Sequence, residues 1–157
     1  MSMASTSPTA AHAAPDLRTL VLAFVAGFLA VPVFHQTLFA QLHAAGVLPV
    51  PAFQFQPTKP FGIPVVVSQS FWGGVWGVVF ALTVPRLVRG AAYWIAAFVA
   101  GAVVLTAVYA FVVVPLKTGA LPPNLAGLFV IGGLLNGAWG IGTALFLLLF
   151  DRRRHGG

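Results

Sequence analysis

The chain has 157 residues, 59% of them hydrophobic and only 6% charged, and its mean hydropathy is +0.97. A water-soluble domain of this size could not present so apolar a surface to solvent, so composition excludes that class and places the protein in a membrane. The net charge of +6 does not point to nucleic acid, because the basic residues stand at the ends of apolar runs, and the lack of cysteine removes disulfides, thiolate metal sites and cysteine nucleophiles.

Residues 1–16 are rich in Ser, Thr, Ala and Pro without apolar periodicity, which predicts a disordered cytoplasmic tail with His12 in solvent. Four apolar runs follow, at about 19–41, 63–84, 91–114 and 125–150. Each reaches the roughly 20 residues a spanning helix needs, and none shows the ten-residue alternation of a barrel strand. The first run is longer than the apolar core of a signal peptide and has no convincing small-x-small cleavage site after it, so it is expected to be a permanent span. The fold class is therefore all-α integral membrane, a four-transmembrane-helix bundle.

The loop at 46–60 holds Pro49, Pro51, Pro57 and Pro60 around Phe53, Gln54, Phe55 and Gln56. Proline this dense rules out a helix and favours extended segments, with the two phenylalanines lying on the bilayer interface or folded over the bundle mouth. The equivalent loop at 115–124 is shorter. After 150, residues 151–157 read as a basic cytoplasmic tail.

Internal similarity organises these runs. Ala23-Phe24-Val25-Ala26-Gly27 recurs unchanged as Ala97-Phe98-Val99-Ala100-Gly101, an offset of 74 (27 to 101). Gly74, Trp76, Gly77, Ala81 and Leu82 recur as Gly137, Trp139, Gly140, Ala144 and Leu145, an offset of 63 (76 to 139). One helical hairpin written twice, over 17–89 and 90–150, gives two tandem parallel repeats. Ser70, Gly74, Gly77 and Ala81 form a helical stripe of small residues, as do Gly133, Gly137, Gly140 and Ala144. Such stripes let backbones approach in lipid, so helices two and four are expected to meet along them, with Trp76 and Trp139 packing alongside.

Arg18, Arg86, Arg89, Arg152, Arg153 and Arg154 fall on one side of this topology, Lys59 and Lys117 on the other. The positive-inside rule then puts both termini in the cytoplasm and the 46–60 loop in the periplasm, as for a multi-pass protein of the bacterial inner membrane.

No Asp, Glu, Lys or Arg lies within the four runs. Ion-coupled transport and paired-carboxylate chemistry therefore have no support, no metal site is expected, and the chain reads as non-enzymatic. The candidate ligand-binding residues are His35, Gln36, Gln69 and Tyr109 in the outer half, with Asn136 nearer the middle. They either line a periplasmic pocket for a small uncharged or weakly charged solute or lock helices together, His35 hydrogen-bonding Gln69 or Tyr109. No cofactor is predicted. A haem shared across a homodimer through His35 is the one alternative, decided by Soret absorbance. The competing function is an accessory subunit contacting lipid, pigment or quinone. The expected partners are membrane lipids and copies of the chain or a larger membrane complex.

Overall fold

The computed structural model describes residues 16–155 and, for residues 86, 87 and 152–155, the backbone alone. The tail expected at 1–15 lies outside these residues. Four long helices account for most of the chain: α1 (Leu17–Ala44), α2 (Val65–Leu87), α3 (Ala91–Thr118) and α4 (Leu125–His155). All four are long and apolar enough to cross a membrane, and the protein is a multi-pass membrane protein. Apolar side chains such as Trp72, Phe111 and Ile95, all more than half exposed, suit a hydrocarbon surround.

The helix ends follow local chemistry. Asp16 starts α1, its Oδ1 accepting from Thr19 N at 2.9 Å, so it belongs to the helix rather than to the tail. Asn124 starts α4 in the same manner, accepting from Gly127 N at 2.8 Å. Gly46 (φ 75°) and Gly119 (φ 77°) take the left-handed turn that closes α1 and α3. The expected tail at 151–157 is instead helical as far as His155, because arginine is a good helix former and no glycine or proline intervenes before Gly156.

Two of the helices contain wide turns in which N–H groups bond five residues back: Val31–His35 in α1, and Ala100–Leu105 and Tyr109–Val113 in α3. Pro32 has no N–H to offer Phe28, whose carbonyl accepts from Val31 N instead. The chain then resumes with Gln36 N donating to Val31 O. Pro115 sits two residues beyond the last wide turn, and α3 runs past it to Thr118 rather than stopping at 114.

Between α1 and α2 the loop carries a two-residue antiparallel pair, β1 (Pro57–Thr58) with β2 (Ile63–Pro64), Pro57 opposite Pro64. Just before it, the Gln54 and Gln56 carbonyls accept from Val66 N and Val65 N at 3.0 and 3.1 Å. They satisfy the first amides of α2, which has no side-chain cap. The loop thus folds back onto the bundle while Phe55 and Phe61 point outward, 68% and 83% exposed.

The glycines set the helix packing, though not between the expected partners. Helices α2 and α4 do not meet along their stripes; each stripe faces the other helix of its own hairpin. A Cβ on Gly77 would lie 2.5 Å from Ala23 O and 2.8 Å from Gly27 Cα. One on Gly140 would run into Ala97 O. Gly74 faces the Phe24 ring and Gly137 the Phe98 ring. The reason is complementarity: α1 and α3 present small residues of their own, Ala23 with Gly27 and Ala97 with Gly101, so closest approach is reached within each hairpin.

The two hairpins join mainly through α1 and α4. Trp139, 2% exposed, donates from Nε1 to Gly27 O at 2.9 Å. The Phe34 ring lies over Gly142 and meets Phe146 edge-on at 5.9 Å. Helix α2 joins this centre through Phe80, whose ring meets Trp139 at 88° and Tyr93 at 70°. Around these rings sit the small side chains Ala30, Ala97 and Ala144.

Candidate functional site

The five polar residues singled out from sequence are dispersed. Gln36 is 3% exposed and bonded on both sides of its amide. Its Nε2 donates to Gln69 Oε1 at 2.8 Å, and its Oε1 accepts from Phe53 N at 2.8 Å. One side chain therefore ties α1 to α2 and to the loop, where Phe53 holds a left-handed backbone (φ 54°) that aromatic residues rarely adopt. The wide turn in α1 makes this geometry available. Val31 and Gln36 are five residues apart, which in a regular helix would put them on different faces, yet both are buried.

Asn136 belongs to the other hairpin, its Nδ2 donating to Thr106 Oγ1 at 3.0 Å. Thr106 is fully buried, and it follows Gly101 by five residues across the second wide turn. In both hairpins a wide turn thus swings a polar side chain into the interface, where it is paired.

Gln36→Ala is expected to release the loop. Losing both bonds of a buried amide, and leaving Phe53 N without its acceptor, should cost about 1–3 kcal/mol locally. Protease nicking within 46–60 in detergent should speed up several-fold, whereas Gln69→Ala, at an exposed position, should leave the loop bond intact. Equal nicking of Gln36→Ala and the parent chain would refute the clamp.

His35 and Tyr109 stand apart from these pairs. Tyr109 is 49% exposed. His35 bonds neither Gln69, whose Oε1 is taken by Gln36, nor Tyr109; its Nδ1 is enclosed with no hydrogen-bond partner among the described residues. The fully buried Thr143 Oγ1 is in the same condition. His43, further along α1, donates from Nδ1 to Leu48 O at 2.8 Å and closes the turn after the helix. Among the described residues, no group of three His, Cys, Asp or Glu side chains could hold a metal ion.

None of the five polar residues lines either of two clefts between the helices. The smaller, about 90 Å³, separates α2 from α3 beside Trp76, with Trp139 at its base. The larger, about 770 Å³, lies at the opposite end of the bundle from the proline-rich loop, where α1 begins and α4 ends. Leu22, Ala81, Tyr93 and Leu147 give it one wall residue from each helix, and Arg89 and Asp151 stand among its polar groups. Sequence reading passed over this cleft because no motif marks it. Its signals were modest: Pro85 near the end of α2, and Arg89-Gly90 as the short joint between two apolar runs.

No family model, curated protein or solved structure matches this chain.

Proposed function

We propose that this protein is a non-enzymatic inner-membrane module, two tandem parallel hairpins with both termini cytoplasmic, that serves as an accessory subunit of a larger membrane assembly. The observation that carries this reading is the pairing of the polar groups inside the bundle: Gln36 with Gln69 and the loop, Asn136 with Thr106. Polar side chains spent on each other act as interhelical fasteners and leave the outer half without a polar path for a solute.

Tandem duplication is supported by contacts that correspond at the sequence offsets of 74 and 63. Phe24 on Gly74 corresponds to Phe98 on Gly137, and Ala23 O on Gly77 to Ala97 O on Gly140. Cytoplasmic termini are supported by the six arginines at one end of the helices against two lysines at the other. Because the chain has no cysteine, single labels decide this topology. Thr58→Cys and Thr118→Cys should react with an impermeant maleimide in intact cells, and His155→Cys only after lysis; the reverse pattern would refute the orientation.

A second reading, a site for a small uncharged or weakly charged solute reached from the periplasm, is favoured by the enclosed, unpartnered Nδ1 of His35. Reconstitution separates the two. The accessory reading expects solubilised native membranes to yield the chain in a complex much heavier than 16.4 kDa, and liposomes of the pure chain to pass glycerol or urea no faster than empty ones. Solute flux that His35→Ala abolishes would reject it in favour of the second.

A further inference from the structure

We propose that the cleft at the arginine-bearing end of the bundle binds one anionic phospholipid, with an acyl chain along its apolar wall and its phosphate at Arg89. The cleft of about 770 Å³ falls within the roughly 300–1,000 Å³ typical of ligand sites. It lies where four helix ends come together. Ala81 leaves its part of α2 thin, the chain turns extended at Val88 (φ −144°, ψ 153°), and Gly90 (φ 63°) reverses it into α3. The rings of Phe80 and Tyr93, buried in the centre, fill the bundle next to it.

The chemistry of the wall selects the occupant. Leu22, Ala81, Pro85 and Leu147 offer nothing that would hold a water-soluble anion, and a purely apolar molecule would make no use of the polar rim. An amphiphile answers both. Arg89 is exposed at this rim, and its planar guanidinium suits a phosphate bidentately. The lining is also flanked by arginine in sequence: Arg18 precedes Thr19, Arg86 follows Pro85, and Arg152 follows Asp151. This end of the chain therefore carries six arginines against Asp16 and Asp151, an excess of positive charge that complements an anionic headgroup and not a zwitterionic one. Trp94, also in the lining, is the residue type that settles at the headgroup level. The proposal goes beyond the accessory role and requires only that the four helices span a bilayer.

The test uses the full chain, purified in a neutral detergent, with phosphatidylglycerol or phosphatidylcholine added in equal amounts and the retained lipid counted by native mass spectrometry. One phosphatidylglycerol per chain is expected, and phosphatidylcholine at a tenth of that occupancy or less. Arg89→Gln should weaken phosphatidylglycerol retention roughly tenfold, as loss of a charge-assisted contact implies. Ala81→Phe should block both lipids, and Lys117→Gln at the other end should change nothing. Equal retention of the two lipids, or full retention by Arg89→Gln, would overturn the proposal. Arg89 is exposed and outside the packed centre, so that variant decides the matter even if Ala81→Phe does not fold.

Discussion

Gly77→Ala and Gly140→Ala are expected to destabilise the bundle far more than Gly74→Ala and Gly137→Ala, although the four glycines belong to the same two stripes. The difference lies in what the added methyl group meets. At Gly77 it would sit 2.5 Å from Ala23 O and 2.8 Å from Gly27 Cα, and at Gly140 it would meet Ala97 O. Those are backbone atoms of a neighbouring helix, so relief requires moving the whole of α1 or α3. Every contact along that seam then lengthens. At Gly74 the obstacle is the Phe24 ring at 2.6 Å, and at Gly137 the Phe98 ring. A ring at the bundle edge turns into the lipid about χ1 for a rotamer cost of about 0.5–1.5 kcal/mol. Overpacking against fixed backbone should cost about 1–3 kcal/mol or more per site. In a membrane, where close dispersion contact replaces hydrophobic drive, little is available to offset it. Thermal unfolding followed by circular dichroism in one detergent should place both backbone-facing variants below both ring-facing ones. If Gly74→Ala loses as much as Gly77→Ala, the seam is not where this geometry puts it.

That prediction also marks where sequence reasoning reached its limit. A stripe of small residues identifies a helix face and says that something approaches it closely; it does not say which helix. The stripes of α2 and α4 look alike because each meets the same surface, Ala23 and Gly27 in one hairpin and Ala97 and Gly101 in the other. The exact recurrence of Ala23-Phe24-Val25-Ala26-Gly27 in α3 already held that information, since a recurring sequence on the facing helix implies a recurring contact. Four spans were legible because bilayer thickness imposes a length that composition displays directly. Their ends were harder to place. Pro115 looks like a stop, yet the wide turn before it lets α3 continue, and Arg152 to Arg154 look like a tail because polarity and helicity are separate properties.

The polar residues were legible as groups needing partners, but the partners were set by the wide turns. A regular helix would have carried Gln36 and Thr106 away from the faces they occupy, and no residue pattern announces a turn that bonds five residues back, apart from Pro32 in the first. His35 lies in that same turn, and its enclosed Nδ1 pairs with neither Gln69, whose Oε1 Gln36 has taken, nor Tyr109. The arginine-end cleft had no signature because its lining comes from four helix ends that only the fold brings together.

Trp139→Ala is expected to be the most damaging single aromatic substitution, and to uncouple the two hairpins rather than merely loosen them. Trp139 is almost fully buried, and from the second hairpin it reaches both helices of the first: Nε1 donates to Gly27 O at 2.9 Å on α1, and its ring meets Phe80 on α2 at 6.4 Å. Truncating a packed tryptophan to alanine costs about 3–5 kcal/mol. The hydrogen bond is the smaller part, about 0.6 kcal/mol by the average for interhelical bonds in membranes. Trp139→Phe should therefore recover most of the loss. Trp76, its counterpart 63 residues earlier, is half-buried beside the 90 Å³ cleft, where its ring already lacks neighbours on one side. Trp76→Ala should cost well under half as much, since fewer packed contacts are forfeited. Each hairpin retains its own glycine seam in Trp139→Ala, so unfolding should separate into two transitions, with protease access appearing first at the joint around Arg89 and Gly90. A single transition at the parental midpoint would show that the hairpins are held together elsewhere, and equal losses at Trp76 and Trp139 would mean that the centre of the bundle does not rest on this ring.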